Sequence, residues 1–534
     1  MRKTFIHLAI VAMLAGTASA RAQETSFSGT DATANNTEGA TVSGSNGTAV
    51  GAAAVAGDTA AALGYQANAQ GFASTALGGQ SVAQGNYSVA VGMGAQATGV
   101  ASMASGYHAQ ATAEAGQAMG YSANATGLGS VATGTYAHAG GEYSQASGYS
   151  AAATGDHSQA SGYQSVASQV GSYAAGFQAQ SVANYGTAIG YRASAEGLGT
   201  QAAGYAARAQ GAYAQAYGYA AHAAGYESQA LGTQAYANGV DSQAIGVNAR
   251  AEQDFDVAIG SHALASGGGS QALGNAAEAS GQASIAIGRG AVASGVNAIS
   301  IGTGNNVSGS GSGAIGDPNV VSGSASYVVG NNNTVVQNNT FVLGNGVATT
   351  QGNSVVLGNG SSDRAATTVS GGQINGHTYA YAGAGSAANG VVSVGAPGAE
   401  RQVINVAAGE VSATSTDAVN GSQLYATQQA IESNVQADLG GLRSDVADLR
   451  GDLQGYKKEA NAGISAAMAM AGMPQATNPN ENLVSIGAAN YRGANALAIG
   501  VSRVTENGRF VLKMSGSFAA RGSRGVALGA GMRF

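Results

Sequence analysis

The chain has no cysteine and no tryptophan, only four prolines, and few charged residues, at 9% of 534. The lack of cysteine excludes disulfides and thiolate metal sites, and it suits a chain that must cross a membrane unfolded. A collagen triple helix is excluded as well, because it needs much proline and glycine at every third residue. The net charge of −7 is spread thinly without a basic patch, so we expect no nucleic-acid partner.

Glycine, by contrast, is abundant and strictly placed. It recurs every 14 residues from Gly64 to Gly358, 22 times without a miss. A typical unit, Asn86–Gly99, reads NYSVAVGMGAQATG and contains two stretches of alternating residues, each ended by glycine. Two short strands and two turns per unit predict a parallel β-solenoid with two sheets. A calcium-binding β-roll is excluded because the units contain almost no aspartate.

The alternation also predicts which side chains point into the solenoid. Ser88 and Ala90 share one face with Gly92, a face thin enough for a narrow interior. The residue before the repeat glycine lies on the other face and forms an apolar stripe, which a lone solenoid would leave in water. We therefore expect an oligomer with its axis along the solenoid. The stripe includes Leu63, Leu77, Val91, Ile189 and Leu343, and its predicted contacts between chains are Ile245, Ile259, Ile287 and Ile301.

A tyrosine follows the repeat glycine in many units, so we expect its ring to stack on that of the next coil, about 4.8 Å away. Stacking alone would stiffen the solenoid. The row could equally serve as an adhesive edge, because tyrosine offers contact area at low entropic cost. The two interpretations are compatible. The candidate edge consists of Tyr107, Tyr121, Tyr149, Tyr163, Tyr191, Tyr205 and Tyr219, with Tyr65 and Phe177 in step.

The ends of the repeat region divide the chain into segments. Basic residues, an apolar stretch Phe5–Leu14 and small residues after it predict a secretory signal peptide over residues 1–22. We expect a loose leader over 23–43 and repeats over 44–365. A head-to-stalk connector and neck then follow over 366–425.

A heptad pattern over residues 426–456 predicts a parallel coiled coil. In this register Asp438, Asp445 and Asp452 lie at g, opposite basic residues at e′ of the partner helix. The apolar positions leave dimer and trimer open. They are Leu439, Leu442, Val446, Leu449, Leu453 and Tyr456. The tripeptide Arg450-Gly451-Asp452 resembles an integrin-binding sequence, but ion pairing on a helix explains both charged residues.

The last segment, residues 457–534, contains four amphipathic stretches of about ten residues. Such alternation is typical of outer-membrane β-strands. Four strands cannot close a barrel, and open edges are forbidden in lipid, so several chains must pool their strands. The predicted strands are Asn482–Tyr491, Ala494–Val504, Arg509–Ala519 and Arg524–Phe534.

These segments occur in the same order in one known family. The chain resembles the trimeric autotransporter adhesins (YadA-like, type Vc secretion) of Gram-negative bacteria, over nearly its whole length after the leader. The most specific pieces are head units such as Ser284–Arg289, a neck-like Thr416–Leu424 and the terminal aromatic Phe534. The neck residues carried over from the family are Asp417, Ala418, Val419, Asn420, Gln423 and Leu424.

The resemblance implies an all-β head, built as a left-handed parallel β-roll, then a coiled-coil stalk and a twelve-stranded trimeric transmembrane β-barrel with four strands from each chain. It implies a homotrimer that is exported by its signal peptide, assembled by the barrel-assembly machinery of the outer membrane and exposed on the cell surface. It also implies adhesion to host extracellular-matrix proteins or host-cell receptors, or alternatively self-association that drives autoaggregation and biofilm.

The sequence predicts neither an enzyme nor a cofactor. The seven histidines, including His108, His138, His157, His222 and His262, are scattered through the repeats without a recurring acidic or hydroxyl partner. Catalysis needs convergent groups, and the pattern offers none. An ice-templating solenoid is also excluded because no regular Thr-x-Thr array occurs.

Overall fold

The computed structural model describes residues 33–35 and 39–534, and the chain divides into two compact units after Gln402. The predicted signal peptide over 1–22 lies outside the described residues, as does most of the predicted leader. Among the described helices, none combines the length and the apolar character that crossing a membrane requires.

The first unit is the predicted parallel β-solenoid. Each 14-residue coil adds a three-residue strand such as Val89–Val91 to one sheet and a two-residue strand such as Gln96–Ala97 to the other. The first sheet has 25 strands, and from Ala61–Leu63 to Val355–Leu357 they recur at the repeat period. In the second sheet the regular strands lie between Thr41–Val42 and Asn333–Val335.

Alanine fills the interior of the solenoid, as the alternation predicts. Ser88, Ala90, Ala95 and Ala97 are fully buried, and the valines that replace alanine in the last coils, such as Val342, are buried too. Coils are joined by backbone hydrogen bonds such as Val89 N–H to the carbonyl of Ser102, at 2.9 Å. A narrow alanine core buries little apolar area per coil, so this backbone ladder carries much of the cohesion.

The strict glycine has two physical causes. Gly92 has φ of +121°, and a Cβ there would lie 2.5 Å from the carbonyl oxygen of Gly106 in the next coil. A Cβ at the second glycine, Gly99, would come even closer to a carbonyl oxygen of the next coil, that of Ala113, but Gly99 lacks the positive φ. Alanine occupies that second position at Ala113 and Ala183, whereas the first position is glycine in every unit. Backbone conformation therefore makes the difference.

The solenoid begins and ends differently from the predicted boundaries. Thr33–Asn35 pairs in parallel with Thr48–Val50, so the leader expected to be loose over 23–43 already contributes a strand. At the other end the chain leaves the coil after Ser361 and returns as Val392–Ser393, which pairs with Val355–Leu357. The connector predicted over 366–425 thus supplies the last strand of the first sheet.

Between these two points lies a β-hairpin that the sequence analysis did not predict. Its strands are Gly371–Ile374 and His377–Ala380, and a short 3₁₀ helix follows at Ala387–Asn389. The turn residues Asn375 and Gly376 both have positive φ, the requirement of a two-residue hairpin turn.

The second unit starts with the neck and one helix of 51 residues, Gly421–Ala471. The helix is longer at both ends than the stalk predicted over 426–456. It starts early because Asn420 caps it, and it ends late because Ala462, Ser465, Ala466 and Ala469 are buried against the C-terminal strands.

Four antiparallel strands complete the unit, in chain order within one sheet. They span Asn482–Tyr491, Ala494–Val504, Phe510–Ala519 and Arg524–Met532, close to the predicted bounds. Small residues such as Ala498 and Ser517 are buried on one face, whereas Val526 and Leu528 on the other are more than three-quarters exposed. This is the alternation that was predicted, and the sheet is open at both edges in a single chain.

Candidate functional site

The tyrosine row forms an exposed ridge along the turn that follows the first sheet. From Tyr149 to Tyr219, neighbouring rings lie 4.7–5.0 Å apart with interplanar angles of 4–9°. A second stacked pair joins Tyr107 and Tyr121 at 5.1 Å. We call this set the tyrosine ridge: Tyr107, Tyr121, Tyr149, Tyr163, Phe177, Tyr191, Tyr205 and Tyr219. The predicted stacking is confirmed, and all of these side chains except Tyr191 are 38–52% exposed.

The ridge is interrupted once, where Thr135 takes the place of tyrosine. Tyr136, the next residue, fills the gap with edge contacts to Tyr121 and Tyr149, at 5.4 and 5.9 Å. The charge interaction with the Tyr121 hydroxyl and the hydrogen bond between the two side chains raise the pKa of the Tyr136 hydroxyl. Tyr65 has no ring partner, because Gly79 and Met93 occupy the next two coils.

The opposite turn carries a second set of exposed aromatic side chains that the sequence analysis missed. Tyr143, Tyr185 and Tyr213 have φ of 55–62° and lie two coils or more apart. Tyr143 lies beside His157, and Tyr213 makes an edge contact with Tyr226 at 6.0 Å. The sequence signal was a tyrosine two residues after the second glycine, but the set does not form a continuous ridge.

A polar network covers part of the second sheet near the ridge. Arg208 and Gln210 donate to the carboxylate of Glu196 at 2.8–3.1 Å, and Gln210 in turn contacts His222 at 2.6 Å. Burial alone would raise the pKa of Glu196, but the hydrogen bonds from Arg208, Gln210 and Ser194 outweigh it and lower the pKa. Burial lowers the pKa of His222, and the Arg208 charge adds to this. The network has a structural role.

The apolar stripe lies on the outer face of the first sheet, as predicted. In a single chain Ile259 and Ile287 are 38% and 37% exposed. The stripe is not uniform, since the same column carries Ser105, Thr133, Ser147 and Ser161 in the middle coils. The contacts assigned to Ile245 and Ile301, like those of the heptad residues Leu439, Leu442, Val446, Leu449 and Leu453, stay predictions. All five heptad residues are at least half exposed on the single helix.

The neck residues fasten the chain to the start of the stalk helix. The Asn420 side chain caps the helix and donates to the carbonyl of Val406 at 3.2 Å. Gln423 both accepts from Gly409 N–H and donates to its carbonyl, at 3.1 and 2.6 Å, while Asp417 accepts from Glu410 N–H at 3.0 Å. Of the neck set, Asp417, Asn420 and Gln423 thus act through hydrogen bonds, whereas Val419 and Leu424 are exposed and Ala418 lies over Gly409.

Arg401 closes the end of the solenoid. Its guanidinium donates to the Ser361 hydroxyl and the Val394 carbonyl at 2.8 Å, and to the Asn359 carbonyl at 2.6 Å. Carbonyls of a last coil have no following coil to pair with, so a multivalent donor such as arginine satisfies them. The sequence analysis quoted Arg401 as the start of the neck-like segment without assigning it this role.

The described residues contain no cluster of three or more histidine and acidic side chains that could hold a metal ion. Terminal Phe534 is fully exposed at the end of the last strand.

Comparison with known proteins matches three kinds of domain in order. Residues 474–534 match the YadA-like membrane anchor domain, and 402–447 match the coiled stalk of trimeric autotransporter adhesins. The YadA head domain repeat matches six stretches: 69–95, 118–137, 146–168, 167–193, 237–263 and 265–291.

Curated relatives share shorter regions with the chain. It is 36% identical over 140 residues to autotransporter adhesin EhaG of Escherichia coli O157:H7, covering 26% of this chain and 8% of that one. It is 60% identical over 63 residues to autotransporter adhesin BtaE of Brucella suis, and the match covers 12% of this chain and 8% of that one. It is 42% identical over 184 residues to trimeric autotransporter adhesin AtaA of an Acinetobacter strain, and the match covers 26% of this chain and 5% of that one. The chain thus spans less than a tenth of the length of these relatives.

Among solved structures, the C-terminal YadA-like domain of a Burkholderia pseudomallei protein is 36% identical, with a TM-score of 0.18, covering 23% of this chain and 51% of that chain. The head repeats, the stalk and the anchor all match domains of a single family, and they follow one another in the order that the fold displays. The chain belongs to the YadA-like trimeric autotransporter adhesins.

Proposed function

We propose that this protein is a self-exported, homotrimeric adhesin of the bacterial outer membrane, and that the tyrosine ridge is its adhesive surface. The partners are host extracellular-matrix proteins or host-cell receptors. The observation that carries the proposal is the run of mutually stacked rings from Tyr149 to Tyr219, all of which are exposed except the half-buried Tyr191.

Stacking prepares the ridge for binding. Because each ring is already held between its neighbours, little side-chain freedom is left to lose when a partner binds. Tyrosine edges and hydroxyls combine apolar contact with hydrogen bonding, which is why the residue is enriched at binding surfaces. Three copies in a trimer multiply the attachment to a surface that repeats its ligand.

The remaining elements support anchoring and display. The four C-terminal strands present Val526 and Leu528 outward, as lipid-facing strands do, and three chains would supply the twelve strands of a closed barrel. We expect the barrel-assembly machinery to insert it and the signal peptide to direct the chain to the periplasm.

A second candidate function is self-association between heads on neighbouring cells. The ridge favours it because two ridges with the same 4.7–5.0 Å repeat can meet in many registers. This function would drive autoaggregation and biofilm.

The two candidates are separated by displaying the full chain on a Gram-negative host without adhesins of its own. Attachment to wells coated with collagen, fibronectin or laminin is measured beside the settling rate of the cells. A ridge variant replaces three ridge tyrosines by asparagine, which the same column carries at Asn275. Its substitutions are Tyr163→Asn, Tyr191→Asn and Tyr205→Asn.

A matched control removes as many tyrosines from the opposite turn, where Asn297 occupies the same column. Its substitutions are Tyr143→Asn, Tyr185→Asn and Tyr213→Asn. Loss of matrix attachment in the ridge variant alone supports host adhesion, and loss of settling alone supports self-association. Equal behaviour of the ridge variant and the parent in both assays would refute the role of the ridge.

A further inference from the structure

The hairpin at the base of the solenoid has one apolar face that the described part of its own chain leaves about half exposed. Gly372 pairs with Tyr379 and Ile374 with His377, so these four residues lie on the same face, and Tyr381 continues it. Ile374, Tyr379 and Tyr381 are 56%, 49% and 47% exposed. The other face carries Gln373, Thr378 and Ala380, which are polar or small.

The shape of this hairpin is set in advance. The turn at Asn375-Gly376 fixes its register, and Gly372 leaves room for the Tyr381 ring, since a Cβ at Gly372 would lie 2.5 Å from the Tyr381 hydroxyl. An isolated two-stranded hairpin is marginally stable in water, however, and an apolar face on it calls for a packing surface. The described part of the same chain leaves both strands exposed.

A matching surface occurs in the same segment of the chain. Where residues 362–391 leave and rejoin the solenoid, there is a cavity of about 520 Å³. Its lining combines apolar residues, among them Val392, Val394 and Pro397, with the charged side chains of Asp363, Arg364, Glu400 and Arg401. Val392 is 70% exposed although it belongs to a strand of the first sheet. The volume of the cavity lies within the range of roughly 300–1,000 Å³ that is typical of small-ligand sites, so large side chains fit into the cavity.

The position of the two features connects them with the contact between chains. The segment that carries the hairpin is inserted between two neighbouring strands of the first sheet, Val355–Leu357 and Val392–Ser393. The outer face of that sheet carries the apolar stripe. The hairpin face and the cavity are two different surfaces of one chain. If they pair between chains, the contact is head to tail, and a ring of three copies closes it.

We propose that the apolar face of the hairpin, with Tyr379 and Ile374, docks in the cavity beside Val392 of the next chain. The three heads would then contact one another at their base. The occupant of the cavity is thus a second copy of this chain. The proposal rests on trimeric assembly and is independent of what the tyrosine ridge binds.

The lack of cysteine makes a direct test possible, because introduced thiols have no competitors. The full chain displayed on cells carries Tyr379→Cys together with Val392→Cys and is treated with a short bismaleimide. The noncovalent trimer is then dissociated in formic acid before electrophoresis. A matched control carries Thr378→Cys with Val392→Cys, since Thr378 lies on the opposite face of the hairpin.

We expect covalent trimers from the Tyr379 pair and at least fivefold less of them from the Thr378 pair or from either single substitution. Cross-linking confined to one chain, equal cross-linking in both pairs, or none in either would overturn the proposal. An untreated sample, run without dissociation, reports whether the trimer itself has formed. Failure of the proposed hairpin contact is thereby distinguished from failure of trimer assembly, and neither readout depends on adhesion.

Discussion

The apolar stripe predicts how the heads respond to a charge. We consider Ile259→Asp together with Ile287→Asp, two side chains on the outer face of the first sheet. Fully burying an isoleucine contributes about 1.5–3 kcal/mol, and a little over a third of each side chain remains exposed in the single chain. Covering the six exposed portions in a trimer is therefore worth roughly 3–7 kcal/mol, to which the desolvation of carboxylates adds.

The assay is thermal unfolding of the full-length, detergent-extracted trimer, followed by circular dichroism. We expect the transition of the head to fall by a few degrees, because the effect is spread over a large cooperative unit. Stalk and barrel should keep the chains together. The same column carries Ser147 and Ser161, so a polar side chain is compatible with a single coil and the loss reports contact between chains.

Tyr205→Asp on the tyrosine ridge is the matched control, and it should leave the melting temperature nearly unchanged while weakening adhesion. If the isoleucine pair melts like the parent while Tyr205→Asp destabilises the trimer, the two faces of the solenoid have been assigned the wrong way round.

Three further predictions concern the described contacts. Gly92→Ala should destabilise the head by about 1–3 kcal/mol or more, and Gly99→Ala by clearly less, as judged by the melting of each variant; equal losses would contradict the role of the positive φ. Asn420→Ala removes the cap of the stalk helix and should cost about 1 kcal/mol, measured by protease sensitivity at the neck. Asn420→Asp keeps the capping oxygen but loses the hydrogen bond to the Val406 carbonyl, so its sensitivity should fall between those of the parent and of Asn420→Ala. Since the pKa of Glu196 is lowered in the folded chain, its hydrogen bonds contribute stability above the ordinary carboxyl pKa and lose it as pH falls through the lowered value. Glu196→Gln should therefore lower the melting temperature at pH 7, and this deficit should shrink as the pH is lowered below the ordinary carboxyl pKa. A deficit that does not change with pH would refute this origin.

The repeat made most of the head predictable, because a fixed period specifies both the strand alternation and the pairing partner 14 residues away. The buried alanines, the outward stripe and the stacking of Tyr163 on Phe177 all follow from that one rule. Where the period fails, so does the prediction. The return of Val392–Ser393 to the first sheet depends on pairing across a long insertion, which no local pattern specifies. The hairpin itself had a local signal, Asn375-Gly376, but its flanking strands are short and glycine-rich.

The middle of the long helix was likewise easier to predict than its two ends. Its heptad seam was readable from Leu439 to Tyr456, but its true ends depend on contacts made elsewhere. The Asn420–Gln423 capping box starts it, and small residues from Ala462 to Ala469 pack it on the strands. The alanines at these positions favour helix but do not continue the heptad seam, so the stalk was predicted to end before them. The surface on which they pack lies in residues that come later in the chain.

The central claim is that three copies of this chain form one anchored adhesin. The most direct measurement is the mass of the full-length protein extracted from outer membranes in mild detergent, by light scattering corrected for bound detergent. We predict the mass of three chains, unchanged on dilution, with the same species persisting in sodium dodecyl sulfate at room temperature. A mass of one or two chains would contradict the account.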